Sequence, residues 1–301
     1  MTATSTDFRH LIAEKIRENR PSLTDNSLRT YVSILANLHD KHLKGSSFNL
    51  DYFSDNLVAI LNYLKDVEPT TRKTVLSALF VLTNNPLYRE KMIEDCKIVN
   101  DNYKNQNKSE KEVANWITTE EIKAKYDGLH TKVLKMFKKT AVADTSTIVE
   151  YLLIALLGGI LPSLPPRRSL DMALLKIRNY NLLTDNYYKS GKLYFNKYKT
   201  SQKYGLQTLS VPEELNKIIK KWIKINDTDY LLFSTNGNQL SSPQITRILN
   251  KIFDGKNISV DMLRHIYLTN YYKDMPSLRE MEAVAADMGH TIQTAMTYIK
   301  K

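Results

Sequence analysis

Five short segments carry side chains whose types could do chemistry together. They are the arginine pair in Leu164-Pro165-Pro166-Arg167-Arg168-Ser169-Leu170-Asp171, the lysines of Asn196-Lys197-Tyr198-Lys199-Thr200, the acid, arginine and histidine of Asp261-Met262-Leu263-Arg264-His265, the histidine of Met288-Gly289-His290-Thr291, and Tyr298. Guanidinium groups present fixed donor forks that can clamp non-bridging phosphate oxygens and stabilise charge developing on them, which lysine does with less directionality. A lysine can protonate a leaving oxygen. A phenolic oxygen can attack phosphorus and form a covalent ester that a second hydroxyl can reverse. Singly, none of these residues is informative. An arginine pair after Pro-Pro commonly opens a helix with solvated side chains, and the chain has 18 tyrosines. His10, His39, His42 and His130 are scattered, without metal-ligand spacing.

The segments must be positioned by the elements around them. The apolar run Thr147 to Leu157 predicts a buried helix, broken by Gly158-Gly159 and Pro162 ahead of the arginine pair. Asn179 to Val211 alternates in short runs around Ser190-Gly191 and Tyr204-Gly205, predicting a small antiparallel sheet with Lys197 and Lys199 in one of its turns. Helices are predicted at Pro212 to Ile225, Ser242 to Phe253, Val260 to Lys273, Ser277 to Met288 and Thr291 to Ile299. The Asp261 to His265 segment then opens a helix, and Gly289-His290 joins two. Thr118 and Glu121 have capping-box spacing ahead of a helix running to about Lys139.

Before that lies a different region. Helical periods run through Leu28 to Leu38 behind a Thr24-Asp25 cap signal, through Phe53 to Leu64, and through Val75 to Leu82, with a further helix from Pro86. Asp101 to Glu112 has one aromatic and no aliphatic residue, the composition of an exposed linker. The fold class read from this is mainly α with a small antiparallel β-sheet (α+β). The predicted domains are 1–105, helical, a linker at 106–115, and 116–301, mixed.

With these segments in order, the chain resembles the tyrosine recombinases of the phage-integrase family, whose pattern is Arg, Lys, His-x-x-Arg, His or Trp, and Tyr. The likeness is strong in the last 140 residues and rests on architecture alone in the first 110. The wording around the arginine pair, Tyr-Lys-Thr and Tyr-Ile-Lys is similar to the recombinases of large DNA viruses and Polinton-like mobile elements. The resemblance implies a helical core-binding (SAM-like) domain at 1–105 and a DNA breaking-rejoining domain at 116–301, closing on duplex DNA as a clamp. It implies Arg168 as the first catalytic arginine, since Asp171 follows it at the family's spacing, with Arg167 competing. Lys199 becomes the sheet-turn lysine and proton donor, with Lys197 as runner-up. Arg264 becomes the second arginine, His290 the histidine on the scissile phosphate, and Tyr298 the nucleophile that forms a 3′-phosphotyrosyl link. No cofactor or metal is called for. Arg72 and Lys73 are expected to contact DNA.

Two positions depart from the pattern. Asp261 stands where the family has histidine, so that role is lost, modified in Asp261, or taken by a neighbour such as His265. His290 and Tyr298 are eight residues apart where nine is usual, about 100° on a helix. Rival readings are a type IB topoisomerase, which puts lysine at the Asp261 position, and a DNA-binding protein of the same fold with impaired catalysis. Double-stranded DNA is the expected partner, bound by four copies on two paired sites, with the free chain monomeric or dimeric. Three residues follow Tyr298, so coupling between copies is expected to fall to Asn115–Lys139 or the final helix.

Composition agrees with such a partner. The chain has 301 residues and a formal net charge of +11. Up to Glu112, 16 Lys and Arg stand against 15 Asp and Glu; beyond it the balance is 27 against 17, so +10 of the charge lies in the second region. Lys217, Lys220, Lys221 and Lys224 would also serve merely to solvate a helix face. One cysteine, Cys96, excludes an intramolecular disulfide. No stretch has the length of a membrane span, and the charged first 20 residues do not read as a signal peptide. A soluble intracellular protein acting on DNA is expected.

Overall fold

In a computed structural model the described residues are 5–42, 49–104, 108–138, 144–274, 276 and 278–299. Residues 105–107 around the predicted linker start, Lys139 at a predicted helix end and Ser277 at a predicted helix start lie outside them. The chain divides into two compact units, Met1–Asn105 and Gln106–Lys301.

The first unit is helical: α1 (Ser5–Asn19), α2 (Asp25–His42), α3 (Tyr52–Asp55), α4 (Leu57–Leu64), α5 (Pro69–Thr83) and α6 (Pro86–Lys104). Its core gathers Phe8, Ile12 and Ile16 of α1 with Leu35, Phe53, Leu76 and Leu79. Proline opens α5, where a missing N–H costs nothing, and Asn84 ends it in the left-handed region at φ 54°. Asn19 donates to the α5 carbonyls of Val81 and Leu82 (2.9 and 2.7 Å). The helix expected over Phe53 to Leu64 is two helices. Asn56 interrupts it, its side chain donating to the Tyr52 carbonyl at 3.1 Å in competition with the helix ladder.

The second unit begins with α7 (Glu110–Asn115) and α8 (Thr119–Met136), each closed by a complete capping box, Ser109 with Glu112 and Thr118 with Glu121. The first of these places a helix over residues 110–115 of the segment read as linker. Polarity marks exposure, but Ser109-x-x-Glu112 is itself a helix start. Helix α9 (Thr145–Leu157) is buried on all sides save at its start and Glu150, hence its continuous apolar sequence. Then come α10 (Ser169–Ala173), β1 (Leu175–Lys176), β2 (Asn186–Lys189), β3 (Lys192–Phe195), α11 (Ser201–Tyr204) and β4 (Gln207–Ser210).

The sheet runs β1-β2-β3-β4. Strands β2, β3 and β4 are antiparallel as predicted, whereas β1, two residues long and upstream of the alternating region, adds a parallel edge and makes the sheet mixed. Register places Tyr188 against Leu193 and Leu193 against Leu209 on the core face. Tyr180, Tyr187 and Tyr194 stack in a row at 4.5 and 4.6 Å. Phe195 lies opposite Gln207 at the end of the β3–β4 pair.

Helices α12 (Glu213–Ile225), α13 (Ser242–Ile252), α14 (Val260–Tyr271), α15 (Leu278–Asp287) and α16 (Ile292–Met296) complete the unit. The last is shorter than expected. It ends at Met296, and Tyr298 sits in the turn beyond, its N–H bonded to the Ala295 carbonyl (3.0 Å). Among the described residues no helix is long and apolar enough to cross a membrane.

Candidate active site

The arginine pair lies at the start of α10. Pro165 and Pro166 hold the preceding chain extended, and Arg168 occupies the N-cap position with φ −66° and ψ 150°. Neighbours in an extended segment point in opposite directions, and the two arginines do different things. Arg167 is fully buried (0% exposed). Its Nε donates to Asp171 (3.2 Å), its Nη1 to Gln207 Oε1 (2.7 Å) and to the Asp287 carbonyl, and its plane lies over Phe195 (4.3 Å) and Tyr198 (5.0 Å). Burial pulls this guanidinium below its usual range and pushes the Asp171 carboxyl above its own, while their mutual attraction opposes both shifts. The carboxylate of Asp171, whose spacing points to Arg168, grips Arg167, and its backbone N–H bonds to the Arg168 carbonyl (3.0 Å).

Arg168 reaches the other way, to His290. Its Nη2 lies 3.2 Å from His290 Nδ1. His290 is presented by a tight helix end. Gly289, at φ 73°, closes α15 with the two reciprocal bonds of a Schellman turn, His290 N–H to Ala285 and Gly289 N–H to Ala286, both 2.8 Å. A side chain at Gly289 would also meet Thr200 Oγ1 at 3.3 Å and Arg168 Nη1 at 3.4 Å. The same helix end is tied to the sheet, because Gln207 Nε2 donates to the Ala286 carbonyl (2.7 Å) and Thr200 Oγ1 to the Gly289 carbonyl (3.1 Å).

Arg264 opens the second turn of α14, a helix capped by Ser259. It is 3% exposed. Its Nη1 donates to the phenol oxygen of Tyr298 (3.0 Å), its Nη2 bonds to His290 Nε2, and its plane lies 4.4 Å from the Tyr298 ring centroid. His290 and Tyr298 rings are 5.0 Å apart. The eight-residue spacing thus still delivers the phenol, because the last helix stops early and a turn makes the approach.

Electrostatics set this cluster apart. Burial and the charges of Arg264, Arg168, Arg167 and Lys199 push His290 down to about 3, so its ring is neutral at neutral pH. A neutral imidazole offers one acceptor nitrogen, yet guanidiniums face both, so Arg168 and Arg264 compete for it. Arg167 Nη2, Arg168 Nη1 and Arg264 Nε are buried without a hydrogen-bond partner among the described residues. The spare donors of Arg168 and Arg264 beside a neutral ring and a phenol oxygen are chemically suited to an oxyanion.

Of the lysines, Lys199 is exposed and its charge reaches His290, whereas the charge of Lys197 acts on Asp185. Asn186 fixes this turn. It is buried, accepts from the Lys197 N–H (2.7 Å) and donates to the Lys197 and Asp171 carbonyls (2.8 and 3.0 Å). Asp261 is 62% exposed, 3.5 Å from Arg264 Nη1 and 3.6 Å from His265 Nε2. His265 Nδ1 lies 2.7 Å from Glu112 Oε1, and its ring stands edge-on to Tyr298.

In the first unit, Arg72, expected to contact DNA, also braces the fold. It holds nearly buried Asp95 through two bonds (2.8 and 2.6 Å) and donates to the Lys65 carbonyl (2.8 Å), which uses its fork. Lys73 beside it is half-buried. Sequence reasoning missed Gln207, Asn186 and Glu112, none of which has a chemical signature of its own. Only the capping-box spacing of Ser109 and Glu112 was there to be read.

This is the integrase, or tyrosine recombinase, fold. The chain superposes on lambda integrase bound as a dimer to a COC′ core site over 99% of its own length and 77% of that chain, at 14% identity and TM-score 0.55. Lambda integrase bound to DNA is similar over 98% and 94% (15% identity, TM-score 0.53), and the Tn1549 transposon integrase in complex with transposon right end DNA over 100% and 95% (15%, 0.52). No protein-family profile and no curated protein sequence matches the chain.

Proposed function

We propose that this protein is a site-specific DNA recombinase that cleaves and rejoins DNA through a 3′-phosphotyrosyl intermediate, serving integration or recombination of a virus or mobile element. The observation that carries the reading is the contact of Tyr298 Oη with Arg264 beside His290 and Arg168, four residues from four separate segments meeting around spare guanidinium donors.

In this reading a scissile phosphate enters between Arg168 and Arg264, whose forks take its non-bridging oxygens and end their competition for His290. His290, kept neutral, donates one hydrogen bond to the phosphate. Tyr298 gives up its phenolic proton to water as its oxygen attacks phosphorus in line; the bond to the 5′ oxygen breaks and Lys199 supplies the proton that oxygen needs. Arg167 positions rather than touches the phosphate, because it ties α10, β4 and the end of α15 behind His290. The second unit is then the catalytic domain and the first a core-binding domain. Duplex DNA is the partner, four copies act on two paired sites, and the protein works inside the cell wherever that DNA lies.

The test is a nicked suicide duplex carrying the terminal or attachment sequences of the element that encodes the protein. A covalent protein–DNA adduct is expected, and Tyr298→Phe removes it. Binding without any adduct from the unaltered protein would instead mark a DNA-binding protein of this fold, and relaxation of plasmid without sequence preference a topoisomerase.

A further inference from the structure

Tyr298 has a second set of neighbours that the phosphate chemistry leaves unused. His265 follows Arg264 on α14, and its ring stands edge-on to the Tyr298 ring, centroids 4.9 Å apart at 75°. Arg264 covers the phenol ring from another side. The orientation of His265 is fixed from outside α14. A carboxylate only accepts hydrogen bonds, so the 2.7 Å contact makes His265 Nδ1 the donor and Glu112 Oε1 the acceptor, and sets which ring nitrogen carries the proton. Both side chains are mostly buried, 12% and 14% exposed. Glu112 is itself held, because its other oxygen, Oε2, accepts from the Ser109 N–H and hydroxyl, each at 2.8 Å.

We propose that Glu112 and His265 are a pair of positioning residues that hold the Tyr298 ring where Arg264 can meet its oxygen. Glu112 stands on α7, the first helix after the division between the two units. The aim of the phenol is thereby set in part by the first helix of the second unit. The proposal rests on Tyr298 being the nucleophile only for its catalytic consequence; the positioning itself is independent of it.

The experiment uses the full-length protein labelled with 3-fluorotyrosine, the Tyr298 resonance being assigned by its absence in Tyr298→Phe. In fluorine NMR without DNA, Glu112→Ala shifts and broadens that resonance, and His265→Phe does the same although it keeps an aromatic edge. Glu112→Gln, which keeps both the helix cap and a hydrogen bond to Nδ1, returns it close to its original position. On the suicide duplex, Glu112→Ala and His265→Phe each slow adduct formation about tenfold at unchanged DNA affinity, and the double variant is no slower than either, as expected of residues acting as one unit. A Tyr298 resonance unmoved in Glu112→Ala overturns the proposal. So do additive effects in the double variant. An unaltered protein that makes no adduct would sink the recombinase reading alone, since the NMR comparison still decides the positioning.

Discussion

At the scale of single residues, the distinction between Arg167 and Arg168 matters most. The two are adjacent, yet one is enclosed by Asp171, Gln207 and two aromatic rings and the other faces His290. Arg264→Lys keeps the charge but loses the fork, so adduct formation should fall by about 10²–10³-fold, read as the single-turnover rate on a suicide duplex. Lys199→Ala should cost about 10²–10⁴-fold. That loss should largely vanish on a substrate with sulfur at the 5′ bridging position, since a thiolate leaves without a proton; persistence of the defect would remove Lys199 as the acid. His290 gives a pH signature. Its folded value is depressed to about 3 against 6.5 for the free group, so the unfolded chain binds the extra proton between those values. Stability is then full above about pH 6.5 and declines as pH falls towards 3, with a slope approaching about 1.4 kcal/mol per pH unit. Denaturant titrations from pH 7 to 4 check this, and His290→Asn should flatten the slope.

Elements set the precision of the site. The turn between α15 and α16 works because Gly289 supplies a left-handed residue at the point where Thr200 and Arg168 approach most closely. Gly289→Ala should destabilise the protein by about 1–2 kcal/mol in urea unfolding and slow adduct formation more than it weakens DNA binding, because His290 moves with the turn. Many element starts were legible. The capping box at Thr118, the buried run of α9 and the start of α14 follow from spacing that neighbours alone enforce. Asn56, α7 and β1 were not. Asn56 bonding back to Tyr52 and Ser109 paired with Glu112 are single polar contacts without a hydrophobic period to mark them, and the two-residue β1 exists only through its pairing with Asn186 and Tyr187.

For the whole molecule, the charge division is the main physical fact. The second region carries +10 of the net +11, and it also holds a site whose own arginines are buried and underpartnered. Affinity for a duplex should fall with salt along a log–log slope steeper than about −5, the signature of several phosphate contacts releasing counterions. Fluorescence anisotropy from 50 to 300 mM salt measures it, and a flat response would contradict the proposed partner. In the first unit the charge is nearly balanced and Arg72 is spent on Asp95, so substitutions there should change the slope less than those of exposed lysines in the second.

The sequence by itself determined which groups could do chemistry, their order, and the local frames that carry them: an arginine at a helix start, a lysine in a sheet turn, a histidine after glycine between helices. Those are matters of spacing and of contacts within a few residues. Only the tertiary structure decided which arginine faces His290, that Asp171 serves the other one, and that Glu112 reaches His265. Arg167 meets Gln207 and Asp287 across 40 and 120 positions, and Glu112 meets His265 across 153. Contacts at such separations leave no periodicity in the chain; they exist because the cores of α9 and the sheet bring those segments to one place.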